Sequence, residues 1–231
     1  MYSEINKIRF IPENITENDL ELFLDWNKYD ILLHESQLKF FIEICDIVNT
    51  RKLKGDVVEC GVWKGGSAVL LWILLNQGKD KNIERYWLAD YFGRNYNFIN
   101  NNMFPKELET FQKASKLTIY PPTIEDVKLF IDSFNIPKNI FEFIIGDVTE
   151  TLKKVTIEKI CLLHLDLDFY NSTIGALDTL YPNIIDGGII LVSDYNIRNL
   201  NCKEAILAFR KKNSINSPII ELGEHMAYWI K

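Results

Sequence analysis

"DVVECGVWKGGSA", residues 56–68, runs from apolar residues into an acid and then breaks into glycines. This pattern predicts a strand, a glycine-rich turn and a helix. Such a turn leaves free backbone N–H groups and the positive end of the helix dipole beyond the strand. Gly61, Gly65 and Gly66 follow neither the G-x-G-x-x-G dinucleotide pattern nor the P-loop pattern. The stretch therefore indicates a cofactor loop of a less common kind.

Composition limits the class of protein. The 231 residues are 47% hydrophobic, enough for one α/β domain with terminal additions. The 26 basic and 32 acidic residues give a net charge of −6, which disfavours nucleic acid and anionic membranes as partners. Four widely spaced cysteines without a C-x-x-C pair indicate reduced thiols. With no signal peptide and no apolar run long enough to span a bilayer, we expect a soluble, cytoplasmic protein.

Segments with strand-like and helical apolar spacing alternate along the chain. The spacing predicts strands at 56–61, 85–90, 141–146, 159–167, 188–194, 219–222 and 226–230, and helices at 19–29, 35–50, 66–77, 106–116, 123–134, 149–154, 172–183 and 201–213. Strands that are almost continuously apolar fit a parallel sheet covered on both faces. We expect a doubly wound α/β fold, in which ligands bind beyond the carboxyl ends of the strands.

Acidic residues lie at these strand ends. They are Glu59, Asp90, Asp147, Asp166, Asp168 and Asp194. A single strand-end acid usually caps a helix or completes a turn. Acids after five successive strands would concentrate negative charge along one edge of the sheet. A cationic ligand or a metal ion is therefore expected there.

The first loop helps to separate two cofactor classes. Asp90 suits a ribose diol in both NAD and S-adenosylmethionine sites. Glu59 would repel a pyrophosphate but suits the ammonium and sulfonium groups of S-adenosylmethionine. An NAD-dependent enzyme is thus disfavoured.

A second group of acids lies in "HLDLDFYNST", residues 164–173, and "ILVSDY", residues 190–195. If the two strands are neighbours, Asp166 and Asp194 end side by side. Such a density of oxygen ligands suits a hard cation such as Mg²⁺. A metal there would lower the pKa of a substrate hydroxyl, and the chemistry indicated is O-methyl transfer.

A simpler interpretation of the same residues stays open. Asp168 or Asn171 would cap the helix that starts near Ser172, and Asp194 would form a turn. His164 lies on the same face as the acids, and we expect a hydrogen-bonded core histidine rather than a ligand.

Several motifs carry a family resemblance, in this order: "GDVVECGVWKGGSA", "WLADYF", "GDVTETL", "LDLDFYNSTIGALDTLYPNIIDGGIILVSDY", "CKEAILAFR" and "AYWIK". Over residues 53–231 the chain resembles the macrocin O-methyltransferase family of the TylF/MycF type. Residues 1–52 match only as a helical lid or extension. The resemblance implies a Rossmann-like methyltransferase sheet, S-adenosylmethionine and Mg²⁺ as cofactors, and methylation of a sugar hydroxyl on a glycan, nucleotide sugar or glycosylated natural product. It also implies a homo-oligomer.

The resemblance assigns roles by position. The methionine part of the cofactor would contact Glu59, Gly61, Gly65, Gly66 and Ser67; Asp90 would hold the ribose, and Gly146 and Asp147 would lie along the adenine. Asp166 would be a metal ligand and the general base, and Asp194 a second ligand. The family usually has two acids where this chain has Ser193 and Asp194, so Ser193 or water would fill one metal position. Asp147 replaces a frequent aromatic residue and cannot stack on adenine.

Residues outside these motifs complete the predicted site. His34, Tyr170 and Tyr195 are candidates for substrate contact, although both tyrosines could instead pack under the loops. The irregular segment 93–104 is a candidate specificity loop or an ordinary surface loop.

Two alternatives to a sugar methyltransferase stay open. The loss of an acid at Ser193 allows a methyltransferase fold that binds cofactor or a partner without catalysis. An acceptor of another kind, such as a small polyol or an amine, is the other alternative.

Overall fold

The computed structural model describes residues 35–76, 82–93, 122–137, 139–197, 200–223 and 225–231. Its strands are β1 (Gly55–Cys60), β2 (Ile83–Asp90), β3 (Phe141–Ile145), β4 (Ile160–Leu165), β5 (Ile184–Val192), β6 (Ile220–Leu222) and β7 (Met226–Ile230). Its helices are α1 (Glu35–Thr50), α2 (Gly66–Leu75), α3 (Ile124–Asp132), α4 (Val148–Thr151), α5 (Tyr170–Leu180) and α6 (Cys202–Lys212). Short 3₁₀ turns follow α4 and α5. The predicted helices at 19–29 and 106–116 lie outside the described residues.

The strands form one sheet in the order β3-β2-β1-β4-β5-β7-β6. The pairs from β3 to β5 are parallel, and β7 is antiparallel to both β5 and β6. The strand order reverses between β1 and β4, so the carboxyl ends of these two strands mark the switch point where such folds bind ligands. The predicted doubly wound sheet is confirmed.

Alternate residues of the central strands face two separate cores. Val57, Leu162 and Leu191 belong to one apolar cluster, whereas Val58 and Leu163 belong to the other. This period of two is expected when both faces of a sheet are covered. Burial of both faces explains why these strands are almost continuously apolar in sequence.

The helix α1 packs directly on the sheet domain. Phe41, Ile44, Cys45 and Val48 are almost fully buried in the same cluster as the first face of the sheet. The predicted division of the chain at residue 52 stays a prediction, but α1 belongs to the same hydrophobic core as the strands of the sheet.

The strand β5 begins four residues earlier than predicted. Gly187 and Gly188 suggested the start of a strand, but they lie inside one that begins at Ile184. A Cβ on Gly188 would lie 2.6 Å from Ile184 Cγ2 and 3.2 Å from the Ile160 carbonyl oxygen. The glycines therefore mark a close approach and a register shift against β4, a regular use of glycine within strands.

Two simpler expectations can also be compared with the structure. All four cysteines are buried and none forms a disulfide, as predicted. Among the described residues, no helix is both long and apolar enough to cross a membrane.

Candidate active site

Gly61 allows the turn after β1 to cross the end of β4. Its φ is +87°, and a Cβ at this position would lie 1.9 Å from the carbonyl oxygen of Asp166. Backbone hydrogen bonds hold the crossing, since Gly61 N donates to Ala89 O at 2.9 Å and Asp166 N donates to Cys60 O at 2.8 Å. Only glycine fits this combination of conformation and contact. The turn after β1, which is the predicted cofactor turn, and the acidic end of β4 are thus joined through backbone hydrogen bonds.

The helix α2 begins where this turn ends. Gly65 is its N-cap in the left-handed conformation, with φ +87°, and no side chain caps the first turn. The helix is buried on almost all sides, consistent with its uninterrupted apolar sequence. Its N-terminal end therefore lies beside the turn, as predicted for a cofactor loop.

Asp90 anchors the same turn from β2. Its Oδ2 accepts hydrogen bonds from the backbone N–H groups of Val62 at 2.7 Å and Trp63 at 2.9 Å. These bonds hold Trp63 at φ +50°, a costly conformation for a large side chain. In the structure, Asp90 shapes the cofactor turn; its contact with a ribose stays a prediction.

Gly146 and Asp147 form the corner after β3. Gly146 N donates to the Asp90 carbonyl at 2.9 Å, which places the corner beside the end of β2. Asp147 is the N-cap of α4, and its Oδ1 accepts from Thr149 N at 2.9 Å and Thr149 Oγ1 at 2.8 Å. Asp147 therefore has a structural role, and an adenine contact stays a prediction.

Three carboxylates meet at the carboxyl edge of β4 and β5. One oxygen each from Asp166, Asp168 and Asp194 lies within 4.8 Å of the others. Asp168 and Asp194 have φ values of +61° and +54°, which non-glycine residues seldom adopt. Backbone strain of this kind concentrates at functional sites. Three carboxylate oxygens at this spacing match the ligands that Mg²⁺ prefers.

The predicted capping role of Asp168 or Asn171 is wrong. The helix α5 starts at Tyr170, and its N-cap is Phe169, which makes no side-chain capping hydrogen bond. Asn171 lies inside the helix. Asp168 instead joins the acidic cluster. The sequence predicted it at this edge of the sheet, but not as a metal ligand.

Burial and neighbouring acids raise the pKa of Asp166 and of Asp168. Burial, followed by the charge of Asp194 and a hydrogen bond with it, raises the pKa of Asp168 to about 8. Burial also raises the pKa of Asp166 well above its ordinary value; the charge of His164 opposes this shift, while Asp168 and Asp194 add to it. The cluster therefore holds protons near neutral pH unless a cation balances it.

A chain of buried polar side chains lies beneath this edge. Glu59 in β1 and His164 in β4 are register partners, and both are fully buried. Glu59 Oε1 accepts a hydrogen bond from Ser67 Oγ and lies 3.0 Å from His164 Nδ1. His164 Nε2 lies 2.9 Å from Ser193 Oγ. Glu59 and Ser67, both predicted to contact the cofactor, are thus bonded to each other and connected to His164.

Glu59 controls the protonation of this histidine. Burial by itself would lower the pKa of His164, but the hydrogen bond and the charge of Glu59 outweigh it and leave the pKa above its ordinary value. His164 is a buried core histidine, as expected. Its direct pairing with a cofactor-loop acid was not predicted, because sequence spacing does not give the register between β1 and β4.

Ser193 is buried beside His164, and its role as a metal ligand stays a prediction. It is 3% exposed, and its hydroxyl contacts His164. Asp168 is the third carboxylate of the cluster, beside Asp166 and Asp194.

The candidate substrate residues differ in their placement. Tyr195 is 3% exposed, belongs to the second core cluster and lies under Lys203 Nζ, which is 4.6 Å from its ring centroid. The packing alternative therefore describes Tyr195. Tyr170 is half-buried at the start of α5. His34 and residues 94–104 lie outside the described residues.

Solved structures with the same fold identify the class of protein. The O-methyltransferase NovP superposes with a TM-score of 0.75 and 25% identity, covering 85% of this chain and 79% of that one. A methyltransferase of Podospora anserina, PaMTH1, solved with S-adenosylhomocysteine, superposes with a TM-score of 0.64 at 14% identity, covering 99% and 94%. The fold is that of the Rossmann-like methyltransferases.

Sequence comparison gives the family. The family model of the macrocin O-methyltransferases, TylF, matches residues 13–231. The chain therefore belongs to the macrocin O-methyltransferase (TylF) family. The resemblance found in the motifs is confirmed, and it extends into the N-terminal segment.

A curated relative from Streptomyces olivaceus is 28% identical over 176 residues. It is the 8-demethyl-8-(2,3-dimethoxy-alpha-L-rhamnosyl)-tetracenomycin-C 4'-O-methyltransferase. The match covers 76% of this chain and 65% of the relative, so the chain spans about two thirds of that protein's length.

Proposed function

We propose that this chain is an S-adenosylmethionine-dependent O-methyltransferase that acts on a sugar hydroxyl with the help of Mg²⁺. The observation that carries the proposal is the acidic cluster of Asp166, Asp168 and Asp194 at the strand-order switch. The turn that would hold the cofactor adjoins this cluster, since a Cβ on Gly61 would touch Asp166.

The turn has chemistry that matches the methionine part of the cofactor. Glu59 Oε2 is a buried acceptor and Trp63 Nε1 a buried donor, and neither has a hydrogen-bond partner among the described residues. Buried polar groups without partners are rare and costly, so they often indicate a missing ligand. An amino-acid zwitterion offers an ammonium donor for the first and a carboxylate acceptor for the second.

The acidic cluster has the donor set that a hard divalent cation requires. Asp166, Asp168 and Asp194 would hold Mg²⁺, which would lower the pKa of the acceptor hydroxyl and orient it. The raised pKa values of Asp166 and Asp168 fit this assignment, because a bound cation would offset the burial and the repulsion between acids that raise them.

A residue of this chain would then accept the proton of the acceptor hydroxyl. In methyl transfer the acceptor oxygen forms a bond to the methyl carbon, the bond from that carbon to sulfur breaks, and S-adenosylhomocysteine leaves. The acceptor loses its proton to a carboxylate of the cluster. We assign this role to Asp166, whose backbone touches the cofactor turn at Gly61.

Relatives support a sugar as the acceptor. The Streptomyces olivaceus relative is named for methylation of a rhamnosyl-bearing tetracenomycin. A binding protein without catalysis is the second candidate, but three carboxylates still meet at the edge of the sheet despite the serine at position 193. The proposal includes a cytoplasmic location and a homo-oligomeric state. Analytical ultracentrifugation of the full chain would test the oligomeric state.

Transfer of labelled methyl groups tests the proposal. The full chain would be incubated with methyl-labelled S-adenosylmethionine and a panel of nucleotide sugars and glycosides, with Mg²⁺ or with EDTA. We expect Mg²⁺-dependent labelling of at least one sugar, reduced at least about 100-fold by Asp166→Asn. Asp186→Asn, at an exposed residue of β5, is the matched control and should keep full activity. Equal labelling in EDTA or by Asp166→Asn would contradict the assignment.

A further inference from the structure

One histidine connects the cofactor side of the site to the acceptor side. The ring of His164 contacts Glu59 through Nδ1 at 3.0 Å and Ser193 through Nε2 at 2.9 Å. The edge-on packing of Phe41 from α1, with ring centroids 5.2 Å apart, closes a third side. All three polar residues are buried. The ring therefore has one orientation, set by three different elements of the fold.

The two oxygens of Glu59 have different surroundings. Oε1 contacts both Ser67 Oγ and His164 Nδ1, whereas Oε2 has no hydrogen-bond partner within the part of the chain that the structure describes. Two donors on one oxygen fix the plane of the carboxylate and leave the other oxygen available. An ionised carboxylate can accept at both oxygens, so one position remains for a further donor.

We propose that His164 is a positioning residue that holds Glu59 so that Oε2 receives the ammonium group of the cofactor. The inference rests on the proposed function, because it takes S-adenosylmethionine as the ligand of the turn. We place His164 outside direct contact with cofactor and acceptor, because both of its ring nitrogens already contact protein side chains. It acts through Glu59 alone.

The second contact of the ring extends this role to the acceptor side. Ser193 N donates to the Leu165 carbonyl at 2.9 Å, and the next residue, Asp194, takes the left-handed conformation that places it in the acidic cluster. His164 thus contacts Ser193, the residue directly before Asp194, which is the proposed metal ligand. The hydroxyl of Ser193 serves as the second support of the ring rather than as a ligand.

Two ligands that differ in the amino-acid part provide the test. S-adenosylhomocysteine carries the ammonium and carboxylate, whereas 5′-methylthioadenosine keeps the adenosine and sulfur but lacks both. The dissociation constants of each would be measured by calorimetry, or by competition against S-adenosylhomocysteine where the heat is small. For His164→Gln we expect S-adenosylhomocysteine to bind about 10- to 100-fold more weakly, the range for a hydrogen bond to a charged group. Binding of 5′-methylthioadenosine should change less than about threefold.

Matched variants separate positioning from damage to the fold. Glu59→Gln should show the same ligand selectivity, and Cys161→Ala, at another buried residue of β4, should bind both ligands like the parent chain. Thermal unfolding would show that each variant folds. If His164→Gln does not fold, Ser193→Ala decides the question, because it removes only the second support of the ring. It should weaken S-adenosylhomocysteine a few-fold and leave 5′-methylthioadenosine unchanged.

The outcomes distinguish this inference from the proposed function. Equal weakening of both ligands, or no weakening of either, by a folded variant would overturn the positioning role. Failure of the parent chain to bind S-adenosylhomocysteine would instead overturn the proposed function itself.

Discussion

Replacing Asp168 by asparagine should stabilise the metal-free protein while removing its response to Mg²⁺. A carboxylate oxygen of Asp168 lies within 4.8 Å of a carboxylate oxygen of Asp166 and of one of Asp194. Two unit charges at that distance repel by about 3 kcal/mol at an effective dielectric constant of 20. The asparagine would keep the size of the side chain without the charge. For a chain of 231 residues, this free energy corresponds to a rise of roughly 6–12 °C in the melting temperature.

The gain should depend on pH in a defined direction. The pKa of Asp168 is about 8 in the folded protein, against an ordinary value of 3.8 when unfolded. Between these values the folded chain binds more protons than the unfolded chain, so the parent loses stability as pH rises from about 4 to about 8. The variant lacks this loss. The difference in melting temperature should therefore be small at pH 4 and complete above pH 8.

Differential scanning calorimetry at pH 4.5 and pH 8.5, in EDTA and in Mg²⁺, measures both effects. Mg²⁺ should raise the melting temperature of the parent, because a ligand that binds only the folded state stabilises it, and should raise that of Asp168→Asn much less. Asp186→Asn, at an exposed site, should melt within about 2 °C of the parent under all conditions. An Asp168→Asn protein that melts at or below the parent at pH 8.5 in EDTA would show that repulsion within the cluster does not destabilise the fold.

Two further variants test other parts of the site. Gly61→Ala would place a Cβ 1.9 Å from the Asp166 carbonyl oxygen in a left-handed conformation, so we expect a loss above about 2 kcal/mol in a urea titration and no S-adenosylhomocysteine binding. Parent-like stability of this variant would contradict the described crossing. Ser193→Ala should bind Mg²⁺ within about threefold of the parent by calorimetry, because its hydroxyl contacts His164. A loss of about tenfold would show instead that Ser193 is a metal ligand.

The sequence was sufficient to predict the order of elements and the edge of the sheet that carries the site. Apolar runs ending in Asp90, Asp166 and Asp194 imply parallel strands, and the carboxyl ends of parallel strands lie together. These predictions depend only on local periodicity. The glycines at 187 and 188 misled the prediction of β5, because glycine at a close strand approach looks like glycine at a turn.

The contacts between the residues of the candidate site could not be predicted from the sequence. The pairing of Glu59 with His164 depends on the register between strands that are 105 residues apart in the chain. The place of Asp168 in the cluster depends on a left-handed backbone at φ +61°, which Asp tolerates better than most residues but which no local sequence pattern predicts here. Both features arise from tertiary packing that overrides local preference, and both lie at the site proposed for function.

Titration of the purified full chain with S-adenosylhomocysteine by calorimetry, first in Mg²⁺ and then in EDTA, tests the methyltransferase assignment without knowledge of the acceptor. We expect binding at one site per chain, since the turn between β1 and α2 provides one cofactor position. We also expect tighter binding in Mg²⁺, since the cation would neutralise the carboxylates beside that turn. No binding of S-adenosylhomocysteine under either condition would contradict the proposed function.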